Sequence, residues 1–405
     1  MSDPIPTSRE TGTFSADESI LGFKYQLRYA LYLLFAALRT HGLDVEIDIE
    51  RIDDIDVIAS NRITKLVQTK RTVAVLTNSS APFWKTIRIW ADAIRTNKVS
   101  LDEIEEFRLV ATSDPPQGDD TIVSQLSNPD DRTAIATALN TMRTLAESKR
   151  DQLTLGRAYR EFHELLPEQQ AALVEKIRIV TNAPSFDKLD RLIRDQIVHG
   201  PPDKREAFSR VLFGRWEMLV EDYLRSSDKP RIIWDQVQSL LHEISLQFTE
   251  SNLPSTFVDM VSGILPEPTD DDRTFVMQLR EIHATDAQIR RAQKDHLRSS
   301  QLTSFWLRYL LVRPDEIMTH SVRLIDECGN RHEFEVSENC NDDQLVQIGK
   351  SVHEWAMTIA PTIETMRLRK NFDDMPVIRG KFHDLADHPK LGWHPKWETK
   401  FPNSH

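Results

Sequence analysis

Two cysteines, Cys328 and Cys340, are all that the 405 residues contain. That is too few for a disulfide framework or a four-cysteine zinc site, and it points to a reducing compartment. Glycine is scarce too, with 12 residues where an average usage of about 7% would give roughly 28. The sequence contains no Gly-rich phosphate loop and no nucleophile elbow, so the chain is not expected to bind ATP. Long apolar runs are missing: the longest, Tyr29 to Leu38, is about half what a membrane helix needs. Met1 to Glu10 carries no apolar signal segment. Positive charge is in deficit, 51 Lys and Arg against 63 Asp and Glu for a net charge of −12. That argues against coating nucleic acid by bulk charge and leaves room for a local basic site. What is present, 40% hydrophobic and 28% charged residues, describes a helix-rich globular chain. It is expected in the cytoplasm, away from membranes, and at about 150 residues per domain it should hold two or three.

The period of the hydrophobic pattern changes along the chain. A polar segment over 1–17 precedes a helix from Glu18 to Thr40, apolar nearly all round from Tyr29 and therefore buried on most sides. Then Leu43, Val45, Ile47 and Ile49 alternate with Asp44, Glu46, Asp48 and Glu50, the period-two mark of a strand. Ile52 to Ala59 and Ile63 to Val75 read as hairpin partners around a Ser60-Asn61-Arg62 turn, followed by a helix over Phe83 to Thr96 and a strand over Phe107 to Thr112. Beyond Asp114 a polar stretch leads into helical spacing over Thr133 to Leu153, Glu168 to Ile179, Ser185 to Val198, Arg205 to Leu224, Trp234 to Phe248 and Asp272 to Leu311. Ser321 to Ile325 and His332 to Val336, around Cys328-Gly329-Asn330, read as a β-hairpin, and Asp343 to Ile359 as a last helix.

Charge is uneven where the strands are. Acids crowd His41 to Asp56 (Asp44, Glu46, Asp48, Glu50, Asp53, Asp54, Asp56), whereas bases dominate Asn61 to Lys98 (Arg62, Lys65, Lys70, Arg71, Lys85, Arg88, Arg95, Lys98). Carboxylates followed by a basic stretch are what a metal-dependent phosphodiesterase needs: acids hold divalent cations, and bases attract the phosphate backbone. Period two puts Gln68 and Lys70 on one strand face, and Asp54 and Asp56 on one face of the preceding strand. A hairpin brings Asp54 or Asp56 beside Gln68 and Lys70. That assembles a carboxylate and an amide oxygen, both hard donors suited to Mg²⁺ (or Mn²⁺), next to an ammonium group able to stabilise developing charge. Arg71, Lys85 and Arg88 are the bases placed to meet nucleic acid.

Gly22 and Gln26 in the first helix, Glu50-Arg51-Ile52-Asp53-Asp54-Ile55 and Leu66-Val67-Gln68-Thr69-Lys70 together resemble the PD-(D/E)XK nuclease superfamily. The branch most alike is the double-stranded DNA endonuclease of CBASS antiphage effectors, which Phe83-Trp84-Lys85-Thr86, Trp90 and Phe107 to Thr112 also suit. The departure is Gln68, where the superfamily usually has Asp or Glu; it gives a metal one negative charge fewer. The resemblance implies Asp54, Gln68 and Lys70 as catalytic residues with Asp56 as the alternative aspartate. It implies Asp54 and Gln68 as metal ligands, with Glu50 a further candidate. No nucleotide-sensor domain of the CBASS kind is recognisable.

The C-terminal half instead resembles effector subunits of ABC-three-component defence systems, Lamassu among them. The residues are Asp295-His296-Leu297-Arg298, Trp306-Leu307-Arg308, Gly380-Lys381-Phe382-His383-Asp384-Leu385-Ala386 and Gly392-Trp393-His394-Pro395. This implies a DNA endonuclease held in check by an SMC-like ABC ATPase subunit and a third small subunit, and active on release or as a homo-oligomer. The expected architecture is an α/β PD-(D/E)XK (restriction-endonuclease-like) domain over 18–165, a mainly α-helical region over 166–312 and a small α+β partner-binding region over 313–405. The competing expectation is an assembly or adaptor subunit whose nuclease-like fold no longer catalyses. RNA or single strands are alternative substrates of the same chemistry. A zinc site at His383, His388 and His394 is disfavoured without nearby thiolates. Trp84, Trp90, Trp216, Trp306 and Trp355 read as core anchors rather than base-stacking platforms.

Overall fold

The computed structural model describes residues 16–71, 74–118, 120–128, 130–255 and 265–402. The polar segment read over 1–17 lies almost wholly outside them. Helix α1 (Ala16–His41) leads into three antiparallel strands, β1 (Val45–Ile49), β2 (Ile55–Ala59) and β3 (Arg62–Lys70). The two-residue turn between β2 and β3 holds Ser60 and Asn61 at φ 49° and 58°, the left-handed backbone that tight hairpins require. Parallel pairing needs a crossover, and α2 (Ala81–Arg95) supplies it between β3 and β4 (Glu106–Ala111). The sheet has six strands in the order β5-β4-β3-β2-β1-β6, with β5 (Ile177–Val180) and β6 (Ile232–Ile233) at its edges. Between β4 and β5 run α3 (Ile122–Ser127), α4 (Arg132–Lys149), α5 (Gly156–His163) and α6 (Pro167–Lys176), with α7 (Phe186–Arg194) after β5. On one side of the sheet Trp84, Trp90, Phe107, Tyr159 and Phe162 form a continuous aromatic core.

The chain divides into two units. One comprises the residues up to Val198 and Arg215–Leu240; the other comprises His199–Gly214 and Leu241–His405. The sheet-bearing unit thus extends past the expected limit at 165, because β5 and β6 come from later in the sequence and complete its edges. Helices α8 (Arg205–Arg225) and α9 (Trp234–Gln247) contain the points of division.

The second unit is built from α10 (Thr274–Glu281), α11 (Asp286–Arg308), α12 (Pro314–Glu335), α13 (Asp342–Thr358), α14 (Met375–Asp387) and α15 (Trp397–Lys400). The helix expected over Asp272 to Leu311 is two helices. Thr285 caps Gln288 N–H while the Gln288 side chain reaches back to Thr285 N–H, a reciprocal cap that starts α11 afresh. The hairpin expected over Ser321 to Val336 is instead the body of α12, and no strand occurs among the described residues of 313–405, so the small α+β region is corrected to helical. His320, Leu324 and Cys328 recur at four-residue spacing as its buried stripe. Packing of that stripe outweighs the turn-like Gly329-Asn330, whose helical cost is about 1 kcal/mol.

Helices α11 and α14 pack so closely that a Cβ at Gly380 would lie 1.9 Å from the backbone oxygen of Asp295. The same seam holds the Arg379–Asp295 ion pair at 2.6 Å. Trp84, Trp90, Trp216, Trp306 and Trp355 are all buried, as anchors of the two cores.

Candidate active site

Asp54 stands just before β2. The last pair of the ladder is Ile55 with Val67, so one residue further along both strands Asp54 falls opposite Gln68. Thr69 fixes its carboxylate: the backbone N–H donates to Asp54 Oδ2 at 2.8 Å and the hydroxyl at 3.0 Å. The preceding turn is closed by Glu50, at φ 56°, whose N–H donates to the Asp54 carbonyl at 3.2 Å. Gln26 of α1 ties the turn to the helix, its Nε2 donating to the Asp54 carbonyl at 2.8 Å and to Glu50 Oε1 at 3.0 Å. Glu50, expected as a further metal candidate, is thus engaged with Gln26 in shaping the turn.

Asp56 has a different task from the catalytic one expected. It is 0% exposed, and its carboxylate accepts the N–H groups of Ile52 at 3.1 Å and Asp53 at 3.0 Å. Burial, with the nearby charges of Asp53 and Asp48, pushes it up to about 8 against those two hydrogen bonds. Its oxygens hold the turn's backbone, and the residue is a structural staple beneath Asp54.

Asp53 is the acid the sequence reading passed over. Its Oδ2 accepts Trp90 Nε1 at 2.5 Å and its Oδ1 accepts Asp54 N–H at 2.9 Å. Burial first, then repulsion from Asp54, raises it to about 7, opposed by the Trp90 hydrogen bond and the positive charge of Lys70. Asp53 therefore couples electrostatically to both Asp54 and Lys70. The adjacent pair Asp53-Asp54 was visible in sequence, but Trp90 lies a strand pair and a loop away, and no local pattern links it to Asp53.

Gln68 is buried, and no described residue hydrogen-bonds its amide. Lys70 is half-buried at the end of β3, with Arg71 exposed after it. Lys85 and Arg88 lie on α2, the first exposed and the second half-buried, three residues apart on one face. The structure thus gathers Asp53, Asp54, Gln68 and Lys70 at one end of β2 and β3, while Lys85 and Arg88 belong to the helix that follows.

The donors at this point are two carboxylates and an amide oxygen that has no hydrogen-bond partner among the described residues. All are hard oxygens, compatible with Mg²⁺, which keeps several waters and takes further ligands from phosphate. Among the described residues no group of three or more His, Cys, Asp and Glu is arranged to hold a metal. His383, His388 and His394 do not converge on a zinc site either.

No helix among the described residues is long and apolar enough to cross a membrane. Residues 275–401 match the family model for C-terminal domain 7 of the ABC-three component (ABC-3C) systems. The chain carries a domain of the ABC-three component type. Several of the residues quoted above for that resemblance hold this domain together: Asp295 pairs with Arg379, Arg298 with Asp374 at 2.8 Å, and Gly380 sits against Asp295. No curated protein matches the chain. Among solved structures it is similar to the Acinetobacter baumannii Cap4 SAVED/CARF-domain containing receptor, at 16% identity and a TM-score of 0.34, over 70% of this chain and 61% of that one. The Moraxella osloensis Cap4 SAVED/CARF-domain containing receptor is similar at 12% identity and a TM-score of 0.31, over 70% and 69%. The chain spans 61% and 66% of the first two such structures. Likeness of that order decides nothing about its chemistry.

Proposed function

We propose that the sheet-bearing unit is a PD-(D/E)XK-type, metal-dependent endonuclease acting on double-stranded DNA, and that the chain is the effector of a Lamassu-type ABC-three-component antiphage complex. The observation that carries the reading is Asp54, opposite Gln68 in register and fixed by the N–H and hydroxyl of Thr69, with Asp53 coupled to both Asp54 and Lys70. The succession α1-β1-β2-β3-α2-β4 with an aspartate entering β2 and a Gln-x-Lys leaving β3 supports the same reading. Asp54 and the Gln68 oxygen, with Asp53 beside them, would hold Mg²⁺ or Mn²⁺. Such an ion supplies charge neutralisation of the phosphate and a lowered pKa for water. Lys70 stabilises charge developing on the phosphodiester, and Arg71, Lys85 and Arg88, none of them ion-paired with a described residue, attract the backbone. Trp90 and Gln26 keep Asp53 and the Asp54 turn in place.

The C-terminal ABC-three-component domain supports partner subunits, an SMC-like ABC ATPase and a third small subunit. They would restrain the nuclease until release or homo-oligomerisation. The test incubates the protein with linear and circular duplex DNA and Mg²⁺, with and without its partners. Asp54→Asn and Lys70→Ala are each expected to lower cleavage by about a hundredfold or more, the scale of losing one charge-stabilising group. Cleavage by both variants at the wild-type rate removes the assignment. Gln68 in place of an acid favours one second reading, an inactive adaptor; calorimetry separates the two, since an adaptor shows no Mg²⁺ or Mn²⁺ binding that depends on Asp54.

A further inference from the structure

The helical unit bears an open cavity of about 710 Å³ at the start of α11, against the second half of α13 and one face of α14. His353 and His383 line it and are 7% and 0% exposed. Their nitrogens are anomalous: His353 Nε2 and both His383 Nδ1 and Nε2 are buried without a hydrogen-bond partner. Buried polar atoms are nearly always satisfied, and leaving one unmade is costly. Burial draws His353 down to about 4 and His383 well below its usual value, with His296 and Arg379 as positive neighbours of the latter. Both rings are therefore neutral near neutral pH, and each offers one N–H donor and one bare acceptor.

Buried aromatic rings, themselves outside the cavity lining, back these imidazoles. Phe275 lies 5.6 Å from the His383 ring, and Trp393 stands edge-on 4.8 Å from His353. Toward solvent the lining becomes cationic. Arg291 is exposed and Lys350 half-buried, neither ion-paired with a described residue, against the single acid Glu354. Arg379 also lines the cavity, but it is committed to Asp295. The close approach of α13 to the α10 end, where a Cβ at Gly349 would lie 2.7 Å from Ile282, fixes the wall carrying Lys350 and His353.

We propose that this cavity binds a nucleoside phosphate, its phosphate held by Arg291 and Lys350 and its base by the unpartnered nitrogens of His353 and His383. An apolar ligand would leave those nitrogens unmade, and a bare anion held at Arg291 and Lys350 would not reach them. A planar heterocycle with donors and acceptors on one edge answers both. The volume lies within the range of small-molecule sites, roughly 300–1,000 Å³. No third ligand-forming group joins the two histidines among the described residues, which argues against a metal. The inference is independent of the nuclease reading, and Lys70→Ala leaves it untouched.

Calorimetry on the full-length chain tests it with AMP, GMP, CMP and UMP, the matching nucleosides, and inorganic phosphate as probes. At least one monophosphate is expected to bind more tightly than both its nucleoside and inorganic phosphate. Lys350→Ala should weaken that monophosphate by about tenfold, as for loss of one charge-assisted hydrogen bond, and leave the nucleoside unchanged. His353→Phe, folded by circular dichroism, should weaken nucleoside and monophosphate alike; should it fail to fold, the half-buried Lys350 variant decides. Inorganic phosphate binding as tightly as every monophosphate overturns the proposal. So does equal affinity in wild type and Lys350→Ala, or no binding by any of the four monophosphates at millimolar concentration.

Discussion

The two units bury polar groups in opposite ways. In the sheet-bearing unit the buried carboxylates have each found donors: Asp53 has Trp90 and the Asp54 N–H, Asp56 has Ile52 and Asp53, and Asp48 has Arg51 and Tyr223. The helical unit buries imidazoles as well as the arginine-paired acids Asp271 and Asp295. His320 is satisfied by the Met366 carbonyl at 2.9 Å, while His353 and His383 have unpartnered nitrogens beside a cavity. Burial raises Asp53 and Asp56 and lowers His320, His353 and His383, so both sets favour the neutral form. The difference lies in what each set does with its hydrogen bonds. Satisfied acids freeze a backbone turn and leave a neighbouring acid, Asp54, presented on it. Unsatisfied imidazoles freeze nothing and mark space for something else.

That contrast breaks first where the helical unit depends on backbone contact rather than on polar groups. Gly380→Ala places a methyl against the Asp295 carbonyl, and backbone cannot yield as a side chain can. The expected loss is about 3 kcal/mol or more, the upper range for overpacking. It should appear in denaturant unfolding as a lower midpoint for the helical unit, with the sheet-bearing unit unchanged. The next largest effect belongs to the acid staple. Asp56→Ala strips two buried N–H groups, those of Ile52 and Asp53, of their acceptor. About 3 kcal/mol of stability should go, at the usual cost of leaving buried donors unmade, together with cleavage, because the turn carrying Asp54 loses its floor. A variant that keeps its midpoint while losing activity would make Asp56 a direct participant rather than a staple.

What could be read from the sequence follows the range over which each signal acts. Alternation in Val45, Ile47 and Ile49 and the Ser60-Asn61 turn are local, and they led to β1, β2 and β3 near their observed positions. Gln68 and Lys70 on a strand beside an aspartate were legible for the same reason. Which aspartate does what was not, because Asp53, Asp54 and Asp56 are told apart by Trp90, Thr69 and backbone donors that only the folded turn supplies. β5 escaped notice because Ile177–Val180 continues the apolar pattern of α6 without a break. The hairpin assigned to Ser321–Val336 failed because Cys328-Gly329-Asn330 has turn chemistry locally, whereas the stripe His320, Leu324 and Cys328 acts through tertiary packing. The unpartnered nitrogens of His353 and His383 leave no trace in sequence at all.

Acid gives the smallest effect and the sharpest separation of the units. His320 and His353 are both held down at about 4 by burial, against an ordinary 6.5. The unfolded chain therefore takes up these protons first as pH falls. Their contribution is complete above about 6.5 and is lost progressively toward 4. Near pH 5.5 each should cost the helical unit about 1 kcal/mol. Asp53 and Asp56 have the opposite shift, so between about pH 8 and pH 5.5 the folded state takes up their protons first and those groups stabilise the sheet-bearing unit as pH falls. Hydrogen exchange corrected for intrinsic rates, compared at about pH 7.5 and about pH 5.5, should show protection falling in α12 and α13 and holding in β1 to β3. His320→Gln keeps a donor for the Met366 carbonyl but cannot titrate, and should flatten part of the fall in α12. An equal loss of protection in both units, unaltered by that substitution, would mean that the histidines do not set the acid response, and the division drawn between satisfied acids and strained imidazoles would have to be redrawn.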